Sequence, residues 1–202
     1  MNQPAESPPW GARAASAVRD RAEALLMRLD VTRMSRADAA RWRSARTMAD
    51  LGELVIAWLN GEIERTPAHA GEPCEETIPL IPALTVINRG GFVTDNSQLA
   101  ESADGETWNT NVDGFASDET LAKIRTAAAG TDLVVLACRG RHHEHGQRFR
   151  FQPCPRRQVT DFWADACPHA ADALWGTWWV HVEDPADGRN DLLWPVLAAA
   201  LG

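Results

Sequence analysis

The chain has 202 residues, of which 45% are hydrophobic and 24% charged, so it is long enough to bury the core of one globular domain. Its net charge of −8 argues against a dedicated nucleic-acid binder, because the molecule as a whole would repel phosphates. No apolar run reaches the roughly 20 residues of a membrane helix, and the start lacks the pattern of a secretory signal. We therefore expect a cytoplasmic protein without a membrane segment, whose four cysteines are reduced.

The first part of the chain predicts a leader followed by helices. Residues 1–14 contain three prolines and few apolar side chains, which predicts a flexible leader ahead of a single globular domain over 15–202. Helical spacing of apolar residues, with capping residues such as Ser35, predicts three helices over 15–29, 35–46 and 51–59. A loop rich in acids and proline follows, and residues 80–87 form either a short helix or a buried strand.

The second part of the chain mixes strands with helices. Apolar alternation and β-branched runs predict strands over 92–94, 107–116, 133–138, 147–152 and 175–182. Helices are expected over 117–129 and 160–166, and from Asn190 or Asp191 to the end. This order predicts an α+β fold in which N-terminal helices precede a mixed sheet of four or five strands with flanking helices. The apolar run 133–138 is typical of a central strand.

The segment Asn88 to Gln98, NRGGFVTDNSQ, is the strongest candidate for a binding site. It places a glycine pair, a short strand and several uncharged polar side chains between two hydrophobic segments, and small-molecule sites often lie at such strand ends. The candidate ligand-binding residues in it are Asn88, Arg89, Thr94, Ser97 and Gln98. The alternative is a glycine turn whose polar side chains cap the neighbouring backbone.

Four more candidates lie beyond this segment. Trp108 and Asp113 belong to the following predicted strand, and Asp113 could act as a base if it is partly buried. Arg139 and His142 follow the predicted strand 133–138, at the end where open sheets often bind ligands. A guanidinium there could hold a carboxylate or phosphate through two hydrogen bonds, or it could pair with a surface acid.

Familiar motifs are absent. The chain contains no GxGxxG, GxxxxGK[ST], HExxH or GxSxG and no paired CxxC, so no common enzyme class is indicated. In and around the segment RGRHHEHG, only Cys138 with His142 and Cys167 with His169 approach the spacing of zinc ligands. We therefore predict no metal and a solvated, His-rich turn.

Three segments carry a family resemblance. WRSARTMADLGELVIAWLNGEI, NRGGFVTDNSQ and GRNDLLWPVL resemble an actinobacterial domain family of unknown function, over residues 42–197. The resemblance implies no activity, substrate or cofactor.

The sequence predicts that the protein binds or processes a small polar or anionic metabolite, such as a nucleotide-like molecule, in a cleft formed by the segment 88–98. In this hypothesis Arg89 and Arg139 neutralise the anion and Asp113 or His142 transfers a proton, while any cofactor stays undetermined.

The alternative hypothesis is a non-catalytic interaction module. In that case exposed tryptophans and the Arg-rich strand containing Arg148 and Arg150 would contact an acidic protein partner.

Overall fold

A computed structural model of the chain describes residues 34–103, 106–139, 142–143 and 156–202. The helices are α1 (Arg36–Ser44), α2 (Met48–Leu59), α3 (Ile81–Arg89), α4 (Asp118–Ala128), α5 (Arg156–Ala166), α6 (Ala171–Gly176) and α7 (Leu193–Leu201). The strands are β1 (Phe92–Gln98), β2 (Glu101–Ala103), β3 (Glu106–Trp108), β4 (Asn111–Ala116), β5 (Val134–Arg139), β6 (His142–His143) and β7 (Trp178–Glu183). A short 3-10 turn, Ile78–Leu80, leads into α3.

Side-chain caps explain where several helices begin. The Ser35 hydroxyl accepts a hydrogen bond from the Asp38 amide at 3.0 Å, which starts α1 as predicted. Thr47 and Asp50 form a reciprocal capping box at the start of α2. Ser117 caps α4 in the predicted way by accepting from the Thr120 amide.

The predicted α+β fold is confirmed, but the described sheet is antiparallel throughout and not mixed. Strands β1, β4, β7, β5 and β6 form one sheet in that order, with every pairing antiparallel, and β2 pairs with β3 separately. β1 is therefore an edge strand of the described sheet.

The two faces of the sheet differ in chemistry. One face presents buried Val112, Val180 and Val182, and helices α2, α3, α4 and α7 pack on this side. Because side chains alternate along a strand, the neighbouring residues Phe115 and Trp179 lie on the opposite face.

Part of that opposite face is covered by an aromatic cluster. The Phe115 ring meets Trp163 of α5 edge-on at 5.7 Å, and Trp163 meets Trp42 of α1 in the same way. The remaining part of the face carries polar side chains, among them Asp113 and His181.

The structure changes several predicted strand boundaries. β1 continues to Gln98 instead of ending at Thr94, because a bulge at Asp95 lets the pairing with β4 resume. The predicted strand 107–116 is divided between β3 and β4. Strand β5 is not central: it lies next to the short edge strand β6, and its Val134 is 38% exposed.

In two places the structure has a helix where the sequence predicted a strand or left a strand as one of two alternatives. Residues 80–87, for which the sequence left two alternatives, form α3. Trp175, predicted to begin a strand, belongs to α6, so that β7 starts at Trp178. Helix α7 begins without a side-chain cap, and Asn190 instead bonds Thr110 and the Ala100 backbone. Pro195 lies in the first turn of α7, as predicted.

The cysteines are not all reduced. Cys138 is disulfide-bonded, whereas Cys74 and Cys167 are free, so the prediction of four thiols is wrong at Cys138. The predicted leader, the helix over 15–29 and the strand containing Arg148 and Arg150 lie outside the described residues. In the described ranges, no helix is both long and apolar enough to serve as a membrane span.

Candidate functional site

A cavity of about 390 Å³ lies between the edge strand β1 and the segment 66–77. This volume falls in the range of pockets that hold small molecules. The polar residues that line it are Thr66, His69, Glu72, Cys74, Glu76, Thr77, Thr94, Asp95, Asn96 and Ser97. One side of the cavity therefore coincides with the segment that the sequence identified.

The bulge in β1 determines how Asp95 meets the cavity. The register with β4 shifts between Thr94 and Asn96, so Asp95 has no partner opposite it. Its backbone carbonyl lies 2.5 Å from Nε2 of His69, and its carboxylate Oδ1 accepts a hydrogen bond from Nε1 of Trp163 at 2.6 Å. Asp95 thus joins the segment 66–77, the sheet and α5.

The environment of Asp95 raises the pKa of its carboxyl group. Burial removes water from the carboxylate and is the largest cause, and the nearby charge of Asp113 adds to it. The charge of His69 and the hydrogen bond from Trp163 act in the opposite direction but do not cancel these effects. A carboxyl group with a raised pKa in a cavity wall is suited to proton transfer.

The segment 66–77 is ordered by specific contacts although it has no regular secondary structure. The imidazole of His69 stacks on the indole of Trp58, with ring centroids 5.7 Å apart and planes 14° from parallel. Nε1 of Trp58 donates to the Gly71 carbonyl at 2.9 Å. The Thr66 hydroxyl accepts from the amides of His69 and Ala68. These bonds place His69 against β1.

Cys74 lies at the exposed end of the cavity. Its Sγ is 3.1 Å from the Thr77 hydroxyl and donates to the Glu76 carboxylate at 3.3 Å. The thiol thus helps to hold Glu76 at the cavity wall.

Two predicted ligand residues prove to be structural partners. Asn88 is 1% exposed, and its amide nitrogen donates to the Leu84 carbonyl at 2.8 Å and to the Thr94 hydroxyl at 2.9 Å. Its amide oxygen accepts from the Thr94 backbone at 3.0 Å. The Asn88 side chain therefore joins α3 to β1 instead of facing the cavity, while Thr94 also lines the cavity wall.

Strand alternation separates the next two candidates. Ser97 lines the cavity, whereas its neighbour Gln98 does not and lies beside Asn111, whose amide nitrogen is 3.5 Å from Oε1 of Gln98. Trp108 is 49% exposed on β3 and also lies outside the cavity wall.

The two predicted anion-binding arginines lie elsewhere. Arg89 is exposed and forms an ion pair with Glu53 at 3.5 Å. Arg139 donates to both carboxylate oxygens of Asp118, at 3.0 and 3.2 Å, and to the Gly176 carbonyl at 2.7 Å. Arg139 thus pairs with a surface acid, which was the alternative left open by the sequence.

The predicted base Asp113 belongs to a second polar cluster, on the sheet face opposite the valines. Asp113 is paired across β4 and β7 with His181, and its Oδ1 lies 2.6 Å from Nδ1 of that imidazole. Nε2 of His181 is 3.3 Å from Glu183. Burial lowers the pKa of His181, but the hydrogen bonds and charges of Asp113 and Glu183 raise it by more. His142, the alternative proton-transfer candidate, belongs to strand β6.

The sequence did not single out the residues that matter most in the cavity. Asp95 lies in the polar segment, but the sequence did not identify it as a ligand-binding or catalytic residue, because its bulge depends on pairing with β4. His69 and Glu76 lie in a loop whose local sequence indicates no function. In strand β7, alternation placed His181 on the face of Trp179, but only the strand order brings it to Asp113. Over the described ranges, no group of three or more His, Cys, Asp and Glu side chains is arranged to hold a metal ion.

A comparison with protein families finds a match over most of the chain. A family model described as a domain of unknown function (DUF6919) matches residues 37–202. No curated protein matches the chain.

Proposed function

The chain belongs to this domain family of unknown function, and for this member we propose that the cavity beside β1 binds a small polar molecule. The observation that carries the proposal is the cavity itself, in which consecutive side chains of an edge strand meet the ordered segment 66–77. Its volume suits a metabolite, and it is too small for a folded partner.

The edge position of β1 favours recognition of polar groups. The outer side of an edge strand presents backbone groups without a neighbouring strand, and at Asp95 one such carbonyl already bonds His69. The side chains of Asn96 and Ser97 add donors and acceptors within the same wall. A ligand in the cavity could therefore form hydrogen bonds with both backbone and side-chain groups, in place of the hydrogen bonds that water forms there.

Within this proposal Asp95 is the proton-transfer group if a reaction follows binding. Asp95 is among the residues that line the cavity, and the pKa of its carboxyl group is raised, mainly by burial. Asp113, the base expected from the sequence, is hydrogen-bonded to His181 and is not among the cavity residues. Asp113 then acts through its charge on Asp95 and does not touch the ligand.

The interaction-module hypothesis has less support. Trp108 and Trp175 are exposed by 49% and 40% but lie at opposite ends of β7. Trp175 precedes the start of that strand by three residues, whereas Asn109, next to Trp108, bonds Glu183 at its end. A strand of this length separates them by about 17–20 Å, so they do not form one apolar patch.

The test uses a matched pair of neighbouring residues. Ser97→Leu fills the cavity, whereas Gln98→Leu adds the same side chain outside it. Binding to the full chain is measured by thermal shift or native mass spectrometry. We expect a ligand to bind the wild type and Gln98→Leu but not Ser97→Leu. Equal binding by both variants would move the site away from the cavity, and no binding by the wild type to any polar compound would overturn the proposal.

A further inference from the structure

We propose that the ligand of this cavity is a small organic cation with a protonated amine. This inference rests on the proposed function and names the ligand class of the same site. The sequence favoured a polar or anionic molecule, but the charges around the cavity have the other sign.

The cavity wall is acidic. Glu72, Glu76 and Asp95 are the acidic residues among those that line the cavity, and His69 is the one basic residue among the described lining residues, which include no lysine or arginine. The arginines expected to neutralise an anion are paired with other groups. An anion entering the cavity would therefore meet repulsion, whereas a cation would be attracted.

The buried carboxyl of Asp95 gives an independent reason. Its one described hydrogen-bond donor is the neutral indole of Trp163, and none of the described ion pairs includes it. A carboxylate removed from water is costly unless a cation or several donors compensate it, and its raised pKa records that cost. An ammonium group bound in the cavity would supply the missing partner.

Two other wall residues are positioned to assist. Glu76 is held by the Cys74 thiol, so its carboxylate lies at the wall before a ligand arrives. Nε2 of His69 lies 2.5 Å from the Asp95 backbone carbonyl, and the ring stacks on Trp58. The charge of His69 lowers the pKa of Asp95 but does not cancel the effect of burial. Glu76 and Asp95 then approach the ligand from different segments of the chain.

The test compares three four-carbon probes that differ in charge: 1,4-diaminobutane, butane-1,4-diol and succinate. Titration calorimetry with the full chain measures each one, at low and at moderate salt. We expect the diamine to bind most tightly and to weaken with salt, because the attraction is electrostatic. Each loss of a charged partner should weaken it by about tenfold or more.

The variants keep shape and remove charge. Asp95→Asn retains an acceptor for Trp163, Glu76→Gln retains the length of the side chain, and Glu119→Gln on the exposed face of α4 is the matched control. We expect the first two variants to weaken diamine binding and the control to leave it unchanged.

The remaining outcomes would refute either the cation inference or the proposed function. Tighter binding of the diol or of succinate, lost in Ser97→Leu, would overturn the cation inference and leave the proposed function standing. Diamine binding that is equal in Asp95→Asn, Glu76→Gln and Glu119→Gln would also overturn it. Failure of all three probes to bind would overturn the cation inference, whereas the proposed function falls only if the wild type binds no polar compound in the wider ligand screen.

Discussion

Replacing Asn88 by alanine tests whether this residue supports the site from inside the protein or contacts the ligand. The substitution removes three buried hydrogen bonds, of 2.8, 2.9 and 3.0 Å, that connect it to Leu84 and Thr94. At about 1 kcal/mol net for each bond, the free energy of unfolding should fall by about 3 kcal/mol. Most of the loss should come from Thr94, because its buried amide and hydroxyl lose their partner.

Urea denaturation measures this loss. With a slope of about 2 kcal/mol per molar urea, the midpoint should fall by about 1.5 M without a change in slope. Asn60→Ala is the matched control, since Asn60 is exposed at the end of α2 and should shift stability by less than about 0.5 kcal/mol. Equal stability of the two variants, together with weaker ligand binding by Asn88→Ala alone, would refute the structural role and return Asn88 to the ligand site.

Further predictions concern the sheet and the cysteines. The folded-state pKa of His181 is raised above its ordinary value of 6.5, so the stability from its carboxylate partners is complete below about pH 6.5 and is lost as pH rises through the folded pKa. Urea midpoints between pH 6 and pH 9 should show this decline in the wild type and not in His181→Gln; parallel curves would contradict it. In Gly114→Ala the new Cβ would lie 2.3 Å from the Val93 carbonyl oxygen, so the strands must move apart. We expect a loss of about 1–3 kcal/mol or failure to fold, and a melting temperature equal to that of the wild type would exclude the clash. Burial raises the pKa of the Cys167 thiol to about 12, whereas Cys74 is exposed. A thiol reagent at pH 8 should label Cys74 rapidly and Cys167 only after unfolding, as peptide mapping can verify, and equal labelling rates would refute the burial argument.

Local signals were sufficient where structure depends on nearby residues. The Ser35 cap and the helix that begins after Ser117 follow from short-range hydrogen bonding, and the structure confirms both.

Sequence patterns predicted wrong strand bounds where the structure depends on contacts between distant segments. The sequence ended the first strand at Thr94, because a polar run lowers strand propensity, but pairing with β4 carries the strand to Gln98. The sequence began a strand at Trp175, although helix α6 extends through it. In both cases contacts with distant segments override local propensity.

By itself the sequence determined the fold class, the starts of α1 and α4 and the polar segment that forms one side of the cavity, because periodicity and capping act over a few residues. The tertiary structure alone decided which side chains share the cavity. In the folded chain His69, Glu76 and Asp95 line the same cavity, whereas Asn88 is buried in the interior. It also paired Arg89 and Arg139 with other acids, so that neither arginine is among the residues that line the cavity. The physical reason is that electrostatics and cavity shape depend on distances between residues far apart in the chain, which no local pattern encodes.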